Sequence, residues 1–463
     1  MTQGMHYSRH DIFHYVFAAI LLPVMLLTPA INIPVPVPLR FVDVYITFFF
    51  ILYFLWGGFP RILKSILKAP VLTLLSLTAL MLGLETIFAI GDNTGISLSI
   101  RSIVSILAAI GCSVLLWNTW GENALRIFFK VVICCAIAQG FVLWLSFFSP
   151  EFRDLMSLVL YREELEGSEH LVLLRVPGFA SSGGDGLSLN HGLLCAVAAM
   201  GIFYLYPSSL KRTLLLCAVI VANTGNAFTG RSGLYAGSFF IAAIIFTYRD
   251  GKLRALRIFW LLLFVVFLAL ILSIFSNPIG AYGLELRGEL GYEFPIVRLL
   301  DGFIEMYLEG AYNDRTISLL FGDMFFFPQD SLRLLIGNND FGQMPVNYIE
   351  SDVGYVRMIH GFGLFGMLVY LVGVYIIPVW AIYRSKFGMQ RRFIGNGKEI
   401  AEAGYLAQVV LVILIFGIVS HWKIFYLSAR IYLFVLFVFL SLTHLKINSM
   451  RKMFLALTSH PNQ

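Results

Sequence analysis

The chain has 463 residues, 59% of them apolar and only 13% charged, and its mean hydropathy is +0.82. A soluble domain is about 45–50% apolar and about 25% charged. The composition therefore excludes soluble, disordered and fibrous chains and predicts an all-α polytopic membrane protein. The net charge of +6 is no sign of nucleic-acid binding; it has to be read by side of the membrane. The five cysteines, Cys112, Cys134, Cys135, Cys195 and Cys217, all fall in apolar stretches. We expect neither a disulfide framework nor a metal site from them.

Twelve apolar runs are long enough to read as spans. In chain order they cover Ile12 to Ile31, Phe41 to Gly57, Val71 to Ile90, Ile103 to Trp117, Val131 to Phe148 and Gly192 to Tyr206. The remaining six cover Thr213 to Phe228, Leu234 to Tyr248, Ile258 to Phe275, Val356 to Trp380, Tyr405 to Ser420 and Ala429 to Leu445. The first has no short signal-peptide pattern before it and is long enough to stay as an anchor. The whole chain, 1–463, then forms one integral membrane domain.

Placing the N-terminus in the cytoplasm puts 20 of the 33 basic residues on the inner side, against five acids. The rule that inner loops are positive is satisfied at every inner loop, and both termini are cytoplasmic. Thirteen basic residues remain outside, and Lys423 is the only lysine among them. Cations at the outer ends of spans oppose the topology signal, so something else retains them. Arginine rather than lysine suits bidentate recognition of phosphate or carboxylate. For arginines in loop centres, such as Arg153 and Arg162, surface pairing with nearby acids is explanation enough.

Two long segments interrupt the spans. The segment 149–190 has an acidic stretch at Arg162-Glu163-Glu164-Leu165-Glu166 and a Gly/Ser-rich run from Gly178 to Gly186. The segment 277–355 lies on the outer side before the tenth span. It shows helical periods over Phe294–Leu300 and Phe303–Leu308 and ends near the turn Gly337-Asn338-Asn339-Asp340-Phe341-Gly342. A structureless loop of that length is unusual, so we expect a partly helical cap.

Four constellations could carry chemistry. Thr229-Gly230-Arg231-Ser232-Gly233-Leu234-Tyr235-Ala236-Gly237 joins spans seven and eight, so Arg231 heads span eight. A helix N-terminus with an added arginine is an anion site. Gly233, Ala236 and Gly237 would admit a close neighbour. The bland alternative is an arginine reaching lipid headgroups. The second is Arg175-Val176-Pro177-Gly178-Phe179, followed by Asp185, Asn190 and His191. Here Arg175 suits an anion and Asp185 a base, unless Asp185 is only a turn residue and Asn190 only an N-cap. The third, Ser351-Asp352-Val353-Gly354-Tyr355-Val356-Arg357 with His360, opens span ten. Asp352 is a base candidate or a simple N-cap, and Tyr355 and Arg357 are substrate contacts or interfacial anchors. The fourth sets His421, Trp422, Lys423 and Arg430 between spans eleven and twelve, which again suggests an anionic partner or an aromatic belt. Phosphate-binding loops, dinucleotide fingerprints, His-Glu-x-x-His and nucleophile elbows do not occur.

These stretches together resemble the bacterial O-antigen polymerases (Wzy type) and their relatives, the O-antigen ligases. The resemblance lies in the architecture and in three stretches: Arg175 to Phe179 with the glycine run, Thr229 to Gly237, and Ser331 to Gly337 through Asp352-Val353-Gly354-Tyr355 to Gly363-Leu364-Phe365-Gly366. The ligases place a His-Asn pair near this last stretch. The present chain has no histidine between Asn277 and Tyr355, which favours the polymerases.

The resemblance implies a metal-independent glycosyltransferase of the bacterial inner membrane without a cofactor, its active site facing the periplasm. The growing glycan would pass from undecaprenyl diphosphate to a sugar hydroxyl of the next lipid-linked oligosaccharide. Arg231 would act on the diphosphate, with Asp352 and then Asp185 as candidate bases. Arg175, Arg357, Lys423, Arg430, Tyr355 and His421 would contact substrate. A chain-length regulator and a flippase are the implied protein partners. A ligase transferring polymer to lipid A-core and a lipid-linked oligosaccharide flippase are the alternatives. Span interiors nearly free of charge, with Glu85 the main exception, weigh against a transporter.

Overall fold

The computed structural model describes residues 20–29, 42–57, 75–83, 94–160, 176, 178–180, 184–206, 210–249, 252–253, 275–291, 294–309, 322, 324–339, 351, 353–380, 397–423 and 430–459. Nearly all of these are helical. In chain order the helices are α1 (Val42–Gly57), α2 (Thr94–Trp120), α3 (Ala124–Phe148), α4 (Pro150–Val159), α5 (Asp185–Leu205), α6 (Leu210–Thr224) and α7 (Arg231–Thr247). They continue with α8 (Ser276–Leu290), α9 (Pro295–Glu309), α10 (Ser331–Ile336), α11 (Gly354–Leu371), α12 (Gly397–Ser420) and α13 (Arg430–Ser459). Further helical stretches cover 20–27 and 75–83. One two-residue antiparallel ladder pairs Tyr248–Arg249 with Lys252–Leu253 after α7.

This is an all-α membrane protein in composition and architecture. Three described helices are long and apolar enough to cross a bilayer: Ser99–Phe148, Gly186–Leu205 and Gly354–Trp380. The first is 50 residues long and runs from within α2 to the end of α3, the two being separated by a short 3-10 turn at Gly121–Asn123. Shorter apolar helices cover Arg231–Phe246, Gly404–Ser420 and Ile431–Lys446.

The core gathers around α13 and α5. Residues 431–443 of α13 are buried throughout. A helix apolar on every side has no polar face to turn to water, so it takes the centre of a bundle. Phe434 stacks on Phe50 of α1 at 6.3 Å, and Phe439 meets Phe129 of α3 edge-on at 5.4 Å. Ser113 of α2 satisfies its hydroxyl within the helix, on the Ala109 carbonyl at 2.7 Å, and also lies 3.3 Å from the Val438 carbonyl. At the far end of the same core, Lys446 donates to the Tyr204 hydroxyl at 3.0 Å, and Tyr204 stacks on Tyr405 at 5.4 Å.

Two boundaries differ from the sequence expectation for a shared reason. Helix α5 begins at Asp185 rather than near Gly192, and α2 begins at Thr94 rather than near Ile103. Their first turns are rich in Gly, Ser and Asn, which hydropathy does not count as span. Asn190 consequently lies inside α5, and the N-cap position belongs to Gly184, whose φ of 118° suits only glycine. The ninth run, 258–275, lies outside the described residues except for Phe275.

The segment 149–190 opens with a helix that hydropathy does not signal. Ser149 caps α4 by accepting from the Phe152 amide at 3.2 Å, and Pro150 follows at the first helical position. Within 277–355 the two helical periods of the sequence merge into one helix, α9, lying against α8. Gly280 and Gly283 of α8 meet the Phe303 carbonyl and the Ile304 side chain, leaving no room for a Cβ.

Helix α11 carries an interruption. Gly363 adopts φ 67° and ψ 178°, so the helix is broken there. The chain after α10 fills the break: the Asn338 and Asn339 amides donate to the carbonyls of His360 and Gly361 at 2.9 and 3.0 Å. Carbonyls freed inside an apolar helix need such partners, because apolar surroundings offer none.

Candidate functional site

The most fully built constellation is the head of α7. Helix α6 ends at Thr224, a 3-10 turn covers Gly225–Phe228, and α7 starts at Arg231. The Asn226 carbonyl accepts from the amides of Thr229 and Gly230 at 3.1 and 2.8 Å and so closes the turn just before the arginine. Two contacts tie this turn to the head of α5. The Gly184 amide donates to the Thr229 hydroxyl at 2.9 Å, and the Gly233 amide donates to the Ser188 hydroxyl at 3.1 Å.

The glycines have distinct tasks. A Cβ on Gly233 would land on the Ser188 carbonyl, and one on Gly237 would collide with the Asn223 amide. Gly233 therefore sets the α5–α7 crossing and Gly237 the α6–α7 crossing. Small residues of this kind let membrane helices approach closely.

Arg231 is half-buried and reaches sideways. Its Nη1 donates to the Arg298 carbonyl at 2.8 Å, so it bridges α7 and α9. An aromatic cluster seats α9 over the turn. Phe228 stacks on Phe147 of α3 at 4.3 Å, and Phe294, just before α9, meets Phe147 at 5.9 Å. Val176 joins the same patch through its amide, which donates to the Phe228 carbonyl at 2.9 Å. The guanidinium thus stands at the N-terminus of α7, where the helix adds a partial positive charge. The arrangement is suited to an anion.

Of the second constellation, Arg175 lies outside the described residues. Asp185 is the first residue of α5, and nothing is described of its side chain. Both neighbours of this stretch touch the head of α7, through Val176 and Gly184. The structure thereby joins the first and second constellations into one.

The third and fourth constellations also meet. Asp352 lies outside the described residues, but both residues flanking it are buried. The N-cap position of α11 falls to Val353, which makes no side-chain cap bond, and Ser351 holds the turn that leads into it. The Ser351 hydroxyl accepts from the Val353 amide at 3.1 Å and donates to the Met324 carbonyl at 2.6 Å. Arg357 donates from Nε to the Ser351 carbonyl. Tyr355 donates to the Ile418 carbonyl at 2.8 Å, fastening α11 to the end of α12. Lys423, half-buried, closes the turn after α12 with its amide on the Ser420 carbonyl at 3.0 Å. Arg430 is the first residue of α13, with nothing described of its side chain.

His421 needs a correction. The sequence sets it at the boundary as an anion contact; the structure buries it completely. Its Nδ1 lies 3.0 Å from the Tyr375 hydroxyl and 3.1 Å from the Gly417 carbonyl. Rings of Tyr355 and Tyr370 stand 5.6 and 5.7 Å away. Burial drives the imidazole pKa down to about 3, so the ring stays neutral. His421 anchors the turn that carries Trp422 and Lys423, and a fully enclosed ring cannot touch a diphosphate. Trp422 stacks on Phe325 at 5.4 Å.

The sequence reading misses a chain of buried polar groups beneath Arg231. His191 Nδ1 lies 3.0 Å from Asn226 Oδ1, and His191 Nε2 lies 2.9 Å from the Ala136 carbonyl. Asn226 Nδ2 donates to Asn223 Oδ1 at 3.0 Å, and Asn223 Nδ2 donates to the Ser238 hydroxyl at 2.9 Å. The signal was visible as His191, Asn223 and Asn226 set within apolar runs, a pattern that marks hydrogen bonds between helices. A small cavity beside His191 is lined by Gln139, Asn190, Leu187, Leu194, Leu26 and Ile431, among others. Among the described residues, no group of three His, Cys, Asp or Glu side chains is placed to share a metal ion.

No protein-family model matches this chain, and no curated protein is significantly similar to it.

Proposed function

We propose that the protein is a polysaccharide polymerase that joins lipid-linked oligosaccharides at the outer face of the bacterial inner membrane. In this reading the chain crosses the bilayer about twelve times, with both termini in the cytoplasm. The observation that carries it is Arg231, a half-buried arginine at the head of an apolar helix. A charge kept at a membrane boundary against the topology signal is a mark of function.

The acceptor hydroxyl oxygen attacks the anomeric carbon of the donor glycan. The bond from that carbon to the diphosphate oxygen breaks, and undecaprenyl diphosphate leaves with the electron pair. Arg231 and the positive end of the α7 dipole stabilise the charge that develops on the leaving diphosphate. The acceptor proton passes to a carboxylate, with Asp352 the first candidate and Asp185 the second. Asp185 opens the helix that packs on α7, so it belongs to the same constellation as the arginine. Arg175, Arg357, Lys423 and Arg430 are the further cations for the two lipid-linked substrates, and Tyr355 offers a ring to a sugar face.

Gene deletion with complementation tests the reading. The surface polysaccharide is separated by size in the deletion strain and after restoring wild type or Arg231→Ala. Deletion leaving a single repeat unit on its anchor supports polymerisation. Full-length polymer stranded on the lipid carrier would make the protein a ligase. Absence of repeat units from the outer face would make it a transporter.

A further inference from the structure

The polar chain under Arg231 has a shape that packing alone does not require. It starts at the Ala136 carbonyl on α3, passes through His191 on α5, Asn226 in the 3-10 turn and Asn223 on α6, and ends at Ser238 on α7. His191, Asn226 and Asn223 are all buried. Each break in such a chain strands a polar group away from water, so its members hold one another in register. Asn226 is the pivot. Its side chain is held by α5 and α6, while its carbonyl holds the two amides directly before Arg231.

The chain also tolerates either form of the imidazole. The Ala136 carbonyl only accepts, so Nε2 must donate to it. If Nδ1 donates as well, Asn226 presents its oxygen and Asn223 its nitrogen to the next member. If Nδ1 accepts, both amides turn over together, Ser238 donates into the chain, and the longer bond from Asn223 Nδ2 to the Leu234 carbonyl, 3.3 Å, is given up. The link between His191 and Asn226 survives in both arrangements.

We propose that His191 is a positioning residue that acts through Asn226 to hold Arg231 at the anion site. The part of the inference that concerns activity rests on the reading of Arg231 as the diphosphate arginine; the part that concerns its position does not.

Two substitutions separate the ends of the imidazole. In His191→Asn the shorter amide occupies the place of Nδ1, so the Asn226 bond is kept and the Ala136 bond lost. In His191→Gln the longer amide reaches the place of Nε2, so the reverse holds. A volume effect would treat the two alike or favour glutamine.

Position is read first, without any assay of function. Arg231→Cys is introduced into full-length protein carrying Cys134→Ser and Cys217→Ser, and its labelling rate by a membrane-impermeant maleimide is measured. We expect His191→Asn to stay within about twofold of the parent and His191→Gln to shift the rate at least tenfold. Equal rates in the two variants would overturn the proposal. Where His191→Gln fails to fold, Asn226→Ala replaces it, because the carbonyl bonds to Thr229 and Gly230 remain. The same tenfold shift is expected, and an unshifted rate overturns the proposal equally.

Activity is read second. His191→Gln should lower the turnover of polymerisation with little change in KM. It should add nothing further in an Arg231→Lys background, whereas a general loss of structure would add its full effect there. If labelling splits as expected but the deletion strain still polymerises, the positioning stands and the function falls. If polymerisation requires Arg231 but the two labelling rates are equal, the function stands and the positioning falls.

Discussion

Arg231 Nη1 donates to the main-chain carbonyl of Arg298 at 2.8 Å, so the head of one apolar helix is fastened to a helix of the long segment that follows. Because the acceptor is backbone, the bond depends on one of the two side chains only. Arg231→Ala should reduce polymer formation by about 10²–10³-fold, the usual effect of removing a group that stabilises developing charge. Arg231→Lys should recover a small part, since a lysine carries the charge without the planar fork. Arg298→Ala leaves the carbonyl in place and should cost less than about threefold in the same gel assay, within the range typical of a surface substitution.

The crossing of α5 and α7 yields a prediction about stability. Gly233→Ala puts a methyl on the Ser188 backbone, where neither helix can give way. Overpacking of this kind costs about 1–3 kcal/mol. Thermal unfolding of purified protein in detergent should show the loss. Gly404→Ala is the control, because among the described residues nothing stands within 4 Å of a Cβ there. Alanine is the better helix former by about 0.8–1.0 kcal/mol, so the control should be neutral or slightly stabilised. A Gly233→Ala protein as stable as the control would show that the two helices are not in backbone contact.

Much of this bundle is legible in hydropathy, and the reasons for the exceptions differ. Helix α13 announces itself as an uninterrupted apolar run, and the few residues between Thr224 and Leu234 leave room only for a tight turn, which sets Arg231 at a helix head. The start of α5 is hidden because Asp185, Gly186 and Ser188 read as loop, although Ser188 and Gly184 are spent on contacts with α7. His421 misleads for a different reason. Beside Trp422 and Lys423 it looks like surface, and the tyrosines that enclose it, Tyr355, Tyr370 and Tyr375, come from a helix some fifty residues earlier. Gly363 looks like a packing glycine in an apolar run. That it breaks the helix depends on the partner segment Gly337–Asn339, which periodicity cannot reveal.

The enclosed imidazole of His421 makes stability fall in acid. Its pKa in the folded protein is about 3, whereas an imidazole in an unfolded chain titrates near about 6.5. Between those values the unfolded chain binds a proton that the folded chain refuses. Stability is therefore intact above about pH 6.5 and falls as the pH drops toward 3. His421→Gln removes the titrating group. Unfolding temperatures of wild type and variant should converge in slope above neutrality, with wild type losing ground to the variant between pH 6.5 and 4.5. Parallel curves through that window would mean that the ring is already open to protons in the folded state.

The break in α11 should be the hardest feature to alter without consequence. Gly337 and Gly363 both have positive φ, 76° and 67°, and each faces the other's backbone. A side chain at Gly363 carries two penalties. At φ 67° and ψ 178° the backbone is in a region essentially reserved for glycine, which costs a residue with a Cβ about 1–3 kcal/mol. The methyl of Gly363→Ala would also meet the Gly337 amide and the Leu335 carbonyl, both main chain. The substitution should expel the chain after α10 from the break and leave the His360 and Gly361 carbonyls without the Asn338 and Asn339 amides. Limited proteolysis of membrane vesicles reads this directly. Cleavage within 331–339 should be at least tenfold faster in Gly363→Ala than in wild type, while cleavage elsewhere keeps its rate. Unchanged cleavage in that segment would show that α10 is held by something other than the paired glycines.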